Sequence, residues 1–126
     1  MSAAASLRVL DGPGAARVRE LCEAIVPGSG RVAPEVYVDA LLAEMAEPDR
    51  VETLAALFAL APDVDDLGSR AGSPEFQRVR ALACEAFYSD FVAPGAAGPG
   101  AWVEIDFSFP LADRVVKDWS FMGIER

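Results

Sequence analysis

Three times in the first half of the chain, apolar side chains fall at i, i+3, i+4 and i+7. Val18, Leu21, Cys22 and Ile25 do so, then Val38, Leu41, Leu42 and Met45, then Val51, Leu54, Ala55 and Phe58. A helix turns once in about 3.6 residues, so each set draws one apolar stripe along a helix face. Proline punctuates the pattern. Pro13, Pro34 and Pro48 stand near the starts, where the missing N–H costs little, and "VPGSG" at 26–30 stops the first helix. The segments share a period and little else, so they are not an internal repeat.

The third helix is expected to end near Ala61-Pro62, and the acidic, glycine-bearing "PDVDDLGSRAG" reads as a surface loop. "SPEF" at 73–76 starts a fourth helix, with Ser73 as cap and Pro74 in the first turn. Phe76, Val79, Ala83, Ala86 and Phe87 carry its apolar face. Neighbours on a helix point about 100° apart, so Phe87 is assigned inward and Tyr88 is left at the edge.

The ten residues that close "EAFYSDFVAPGAAGPGAW" before its final Ala-Trp, 91–100, hold three glycines and two prolines. Beyond them "WVEIDFSF" alternates in part and reads as a short extended segment, though with no sheet to join. "FPLADRVVKDW" reads as a final short helix with Leu111, Val115 and Trp119 on one face, and the tail "SFMGIER" is too apolar for a solvated terminus. The expected fold class is therefore all-α. It is a small helical domain of about five helices with an irregular, aromatic-rich C-terminal segment. One domain spans 1–126, with 1–12 as a flexible lead-in.

Composition narrows the function. No run approaches the roughly 18 to 20 uncharged apolar residues of a membrane span. The start, "MSAAASLRVLDGPG", has neither a charged segment before a long apolar stretch nor a twin-arginine pair, so a cytoplasmic chain is expected. Net charge is −9, from 20 acids against 11 bases, and such a surface repels phosphate backbones. There is no histidine. That removes Ser–His and Cys–His nucleophiles, His-containing zinc sites and the commonest general base near neutral pH. Cys22 and Cys84 each sit in an apolar helical pattern and read as buried free thiols, with a disulfide between them left open.

Three motifs imitate ligand sites. "GSGRVA" at 28–33 fits G-x-G-x-x-A, but the dinucleotide fingerprint needs a preceding strand and a βαβ unit, and here a helix precedes it and Pro34 follows. "DVDDLG" at 63–68 opens like a calcium loop, yet Leu67 takes the fifth ligand position and Pro74 stands where the bidentate Glu belongs. Glu104 and Asp106 would share a face if extended, a weak hint of paired carboxylates. Solvated acids explain both acidic stretches more simply. The aromatics differ: nine of the eleven lie from Phe76 onward. Either they build an aromatic-rich C-terminal core, or part of the segment is buried against another protein.

"LCEAIVPGSG…APEVYVDALLAEM", "ALACEAFYSD", the Gly/Pro loop and "GAW" resemble the gluconate 2-dehydrogenase subunit 3 family. The matching residues are Leu21, Ile25 and Pro27, then Val38, Asp39 and Leu42, then Phe87, Tyr88, Ser89 and Asp90 with Gly100 and Trp102. Members are small helical subunits that accompany a large FAD-bearing dehydrogenase of the glucose–methanol–choline type. Many begin with a twin-arginine signal, and many carry a glycine–glycine–asparagine turn where this chain has "VAPGAAGPG".

The resemblance implies a non-catalytic, chaperone-like partner that binds and stabilises the large subunit, while that subunit holds FAD and oxidises a sugar, polyol or related alcohol. It implies no catalytic, cofactor-binding or metal residue in this chain. The expected partner contacts are Tyr88, Trp102, Trp119 and Phe121, with Phe87 structural. The alternatives are a free-standing helical adaptor or homodimer with no redox partner, and an independent enzyme using Glu104 or Asp106.

Overall fold

The computed structural model describes residues 7–104 and 119–124. It is all-α: helices α1 (Gly12–Ile25), α2 (Pro34–Glu44), α3 (Glu47–Leu60), α4 (Pro74–Tyr88) and the short α5 (Ala101–Glu104), with no strand among the described residues. Among the described residues three 3₁₀ stretches, Ser29–Val32, Ala61–Arg70 and Ser120–Met122, connect or follow them. The expected helix over 109–119 lies outside the described residues except at its last position.

Local chemistry sets the helix starts. Asp11 caps α1 by accepting from the Gly14 N–H at 2.7 Å, and Pro13 occupies the first turn. Ser73 does the same for α4, accepting from the Phe76 N–H at 3.1 Å ahead of Pro74. α1 stops at the turn where Gly28 takes φ +91, a left-handed conformation that glycine adopts without penalty. The "GSG" motif is thus a helix-terminating turn.

The core forms where α1, α2 and α4 face each other with α3 against α4. Val18, Leu21 and Cys22 of α1 are buried, as are Val38 and Leu42 of α2 and Val79, Ala83, Ala86 and Phe87 of α4. These match the stripes read from spacing. α3 does not. Its buried stripe is Thr53, Ala56, Leu57 and Leu60, whereas Val51 and Phe58 of the expected stripe are 59% and 43% exposed. The rotation has a physical cause. From Thr53 to Pro62 the sequence "TLAALFALAP" carries no charge, so its periodicity sets no unique inward face. Packing against α4 chooses one, and the buried Thr53 hydroxyl accepts from Arg78 Nη1 at 3.2 Å.

Two further expectations need correction. "PDVDDLGSRAG" is not an irregular loop but mostly 3₁₀ helix, kinked at Asp63 and Asp66. Ala61, Val64 and Leu67 recur every third residue, matching the 3₁₀ repeat, and all three pack on the core. Trp102–Glu104, expected as the start of an extended segment, is helical.

Residues 8–10, within the lead-in expected over 1–12, are fastened by one buried carboxylate. Asp39 accepts three backbone N–H bonds, from Arg8 at 2.9 Å, Val9 at 2.8 Å and Leu10 at 2.8 Å. Three charge-assisted bonds compensate its burial on α2. Among the described residues no helix is long and apolar enough to cross a membrane.

Candidate partner-docking surface

The end of α4 carries the first of the expected contact residues. Phe87 is 1% exposed and Tyr88 is 49% exposed, the split that adjacent helical positions impose. Asp90 then takes φ +66 and turns the chain. Its carboxylate accepts from the Trp102 N–H at 3.0 Å, fixing where α5 begins. Gly100 lies against that carboxylate so closely that a Cβ there would overlap Asp90 Oδ1. The glycine serves close approach.

The Gly/Pro loop is held along its length. Phe91 is fully buried, the Ala93 N–H donates to Val32 O at 3.0 Å, and the Gly98 N–H donates to Arg31 O at 3.4 Å. Arg31 donates to Pro99 O at 2.9 Å and Gly28 O at 3.0 Å, while its guanidinium lies 5.1 Å from the Phe87 ring centroid. This loop is a brace between the α1–α2 turn and α5.

The structure joins the four expected contact residues as two pairs. Trp102, half-buried, donates its indole N–H to Tyr88 O at 3.2 Å. Trp119, also half-buried, stands 6.2 Å from the Phe121 ring, centroid to centroid. No ring contact links one pair to the other among the described residues. Phe121 is 74% exposed, while Met122 and Ile124 beside it are buried and tie the tail down.

Sequence reasoning missed what supports the second pair. Tyr37 of α2 meets Phe91 at 5.2 Å and Trp119 at 6.0 Å, and Phe91 meets Trp119 at 5.4 Å, all edge-on. Tyr37 escaped notice because it lies one residue before the expected α2 stripe. Phe91 follows a helix terminator and carries no periodic signal. The Tyr37 hydroxyl donates to Glu85 Oε2 at 2.8 Å. Burial first, then the Glu85 bond and charge, pushes this phenol up to about 12. A second clamp reaches the tail from the N-terminal side, where Arg8 Nη2 donates to Met122 O at 2.6 Å.

The motifs that imitated ligand sites have internal uses. Glu23 accepts from the Gly28 N–H at 2.6 Å and the Gly30 N–H at 2.9 Å, so both glycine N–H donors of "GSG" already face a carboxylate. These bonds, Gly28 first, hold the Glu23 carboxyl below its ordinary range. Asp63 of the calcium-like stretch pairs with Arg70 at 2.7 Å. No group of three His, Cys, Asp or Glu residues with metal-ligand geometry occurs among the described residues. Asp106 lies outside the described residues. Cys22 and Cys84 are both free thiols, and burial first, then Glu35 and Cys84, pushes Cys22 up to about 12. Such a thiol is a poor nucleophile.

Comparison of the chain with known protein families, with curated proteins and with solved structures returns no match.

Proposed function

We propose that this chain is a non-catalytic small subunit that binds and stabilises a large FAD-dependent oxidoreductase of the glucose–methanol–choline type. The observation carrying this reading is the aromatic end: Tyr88 and Phe121 exposed, each beside a half-buried tryptophan, on a frame clamped by Asp90, Arg31 and Arg8. Apolar anchors held rigidly lose little side-chain freedom on docking, which is the character of an interface hot spot. The absence of histidine and the resemblance of "LCEAIVPGSG" and "ALACEAFYSD" to the gluconate 2-dehydrogenase subunit 3 family support the same reading.

In this arrangement Tyr88, Trp102, Trp119 and Phe121 meet the large subunit, and Phe87 and Phe91 hold the platform. The flavin belongs to the partner, and the small chain contributes surface. Purifying a tagged chain from cells that carry its own genome tests this. A large co-purifying polypeptide and flavin absorption in the eluate are expected, and the chain made alone retains no flavin. Made alone it is also expected to be poorly soluble or to aggregate on concentration, with co-expression restoring it, because exposed apolar surface leaves a small domain little margin. A monodisperse, cooperatively melting monomer that captures no flavoprotein overturns the reading.

A further inference from the structure

The last two turns of α3 carry no charge on any side, yet α3 lies at the surface. With no charge from Thr53 to Pro62, one side packs through Thr53, Ala56, Leu57 and Leu60, while Val51, Ala55, Phe58 and Ala59 remain exposed. A helix that is apolar all round belongs in an interior. At about 100° per residue, the four exposed side chains fall within one quadrant or slightly more, a continuous stripe.

That stripe opens onto a groove between α3 and α4 of about 690 Å³. Its floor is Ala55, Ala56 and Ala59, and its walls include Glu52, Glu75 and Arg78. Alanine floors allow another backbone to approach closely, since interaxial distance depends on the side chains at the contact. The charge of the walls decides what can enter. Arg78 is already paired with Glu52 at 3.4 Å and bonded to Thr53. The walls therefore keep a net negative charge, centred on Glu75. A second copy of this chain, at net charge −9, would bring the same acids against them.

We infer that the outer face of α3 and its groove form a second docking surface, which receives an amphipathic helix with an apolar seam flanked by lysine or arginine. The occupant lays its seam along Val51, Ala55 and Phe58 while its basic flank meets Glu75, beside the Glu52–Arg78 pair. This is helix-in-groove recognition. It is independent of the aromatic end, which lies at the opposite, C-terminal end of α4 from Pro74 and Glu75 in the groove wall.

The test uses the full chain and a fluorescent helical peptide of about 18 residues with a Leu/Ala seam and lysine flanks, titrated by anisotropy at about 0.15 M salt. Saturable binding is expected, and a peptide with glutamate flanks does not bind. Ala55→Glu lowers affinity about tenfold or more, although it makes the protein more acidic. That sign separates docking from general attraction of a cation to an acidic protein. If Ala55→Glu fails to fold, Val51→Glu, at a side chain 59% exposed, replaces it. Phe121→Ala leaves peptide binding unchanged, so failure of the aromatic-end reading and failure of this one are distinguishable. Absence of binding overturns the inference, and so does binding that survives both glutamate substitutions. A concentration-dependent dimer that Ala55→Glu dissolves also overturns it, because the occupant is then a second copy.

Discussion

The two apolar surfaces differ in how they are held. The aromatic end is built from irregular backbone tied by specific bonds: Asp90 to the Trp102 N–H, Arg31 to Pro99 O, Arg8 to Met122 O, and three rings meeting at Phe91. The outer face of α3 needs no such ties, because the helix ladder alone positions Val51, Ala55 and Phe58. An exposed aromatic on irregular backbone stays in place only if its neighbours are fixed. On a helix, exposure follows from sequence phase alone. Substitutions should therefore propagate differently on the two surfaces.

The largest expected contrast is Phe91→Ala against Val51→Ser. Phe91 is fully buried and touches both Tyr37 and Trp119. Its truncation is expected to cost about 3 to 5 kcal/mol of stability. Val51→Ser stays within about 0.5 kcal/mol. Urea unfolding read by tryptophan fluorescence and by circular dichroism measures both. Equal midpoints for the two variants would erase the contrast. Phe121→Ala is informative because it belongs to the braced end yet is itself exposed. It should leave folding within about 0.5 kcal/mol while weakening capture of the proposed large subunit by about 2 kcal/mol.

Next comes Asp39→Ala, on the order of 3 kcal/mol, since three backbone N–H groups lose a charged acceptor at once. Arg8 links that carboxylate to the tail by donating its backbone N–H to Asp39 and its guanidinium to Met122 O. Faster amide exchange is therefore expected along the chain, with the largest increase at residues 8–10 and 119–124 and a smaller one at 47–60. Uniform acceleration along the chain would show that Asp39 serves general stability and not the aromatic end. Asp39→Asn, which keeps one acceptor oxygen, should lose less.

Legibility in the sequence follows the same division. α1, α2 and α4 were readable because their apolar residues recur with helical spacing and capped or proline-marked starts fix the frame. For α3 the spacing was present but not decisive, because "TLAALFALAP" offers an apolar side in every direction. Only packing against α4, with Arg78 available for Thr53, selects the inward one. At the aromatic end the residue types were legible and the clamps were not. Asp90, Arg31 and Arg8 act over separations of 12, 68 and 114 residues, and no local pattern announces such pairings. Phe87 and Tyr88 could be sorted from adjacency alone. Phe91 could not, since it follows the helix and owes its burial to a turn set by a left-handed Asp90.

A further expected effect is alkaline, and it falls on the braced end and the central core rather than on α3. Burial is the first cause of both relevant shifts. Cys22 rises from an ordinary 9.0 to about 12, and Tyr37 from 10.0 to about 12 with help from Glu85. In the unfolded chain these protons leave at the ordinary values, while the folded chain retains them. Between 9 and 12 the folded state thus binds more protons than the unfolded one, and stability falls as pH rises. Below 9 the contribution is complete. The urea midpoint of the native chain should therefore be lower near pH 11 than near pH 8. Cys22→Ala should flatten the part of the decline that begins near 9, and Tyr37→Phe the smaller part that begins near 10. Because Tyr37 rests against Phe91 and Trp119, its share should appear as an earlier change in tryptophan fluorescence than in helical signal. A native midpoint that is flat from pH 8 to 11 would mean that neither proton is held by the fold. A decline that Tyr37→Phe leaves untouched would remove the phenol from the account and leave the aromatic end supported by packing alone.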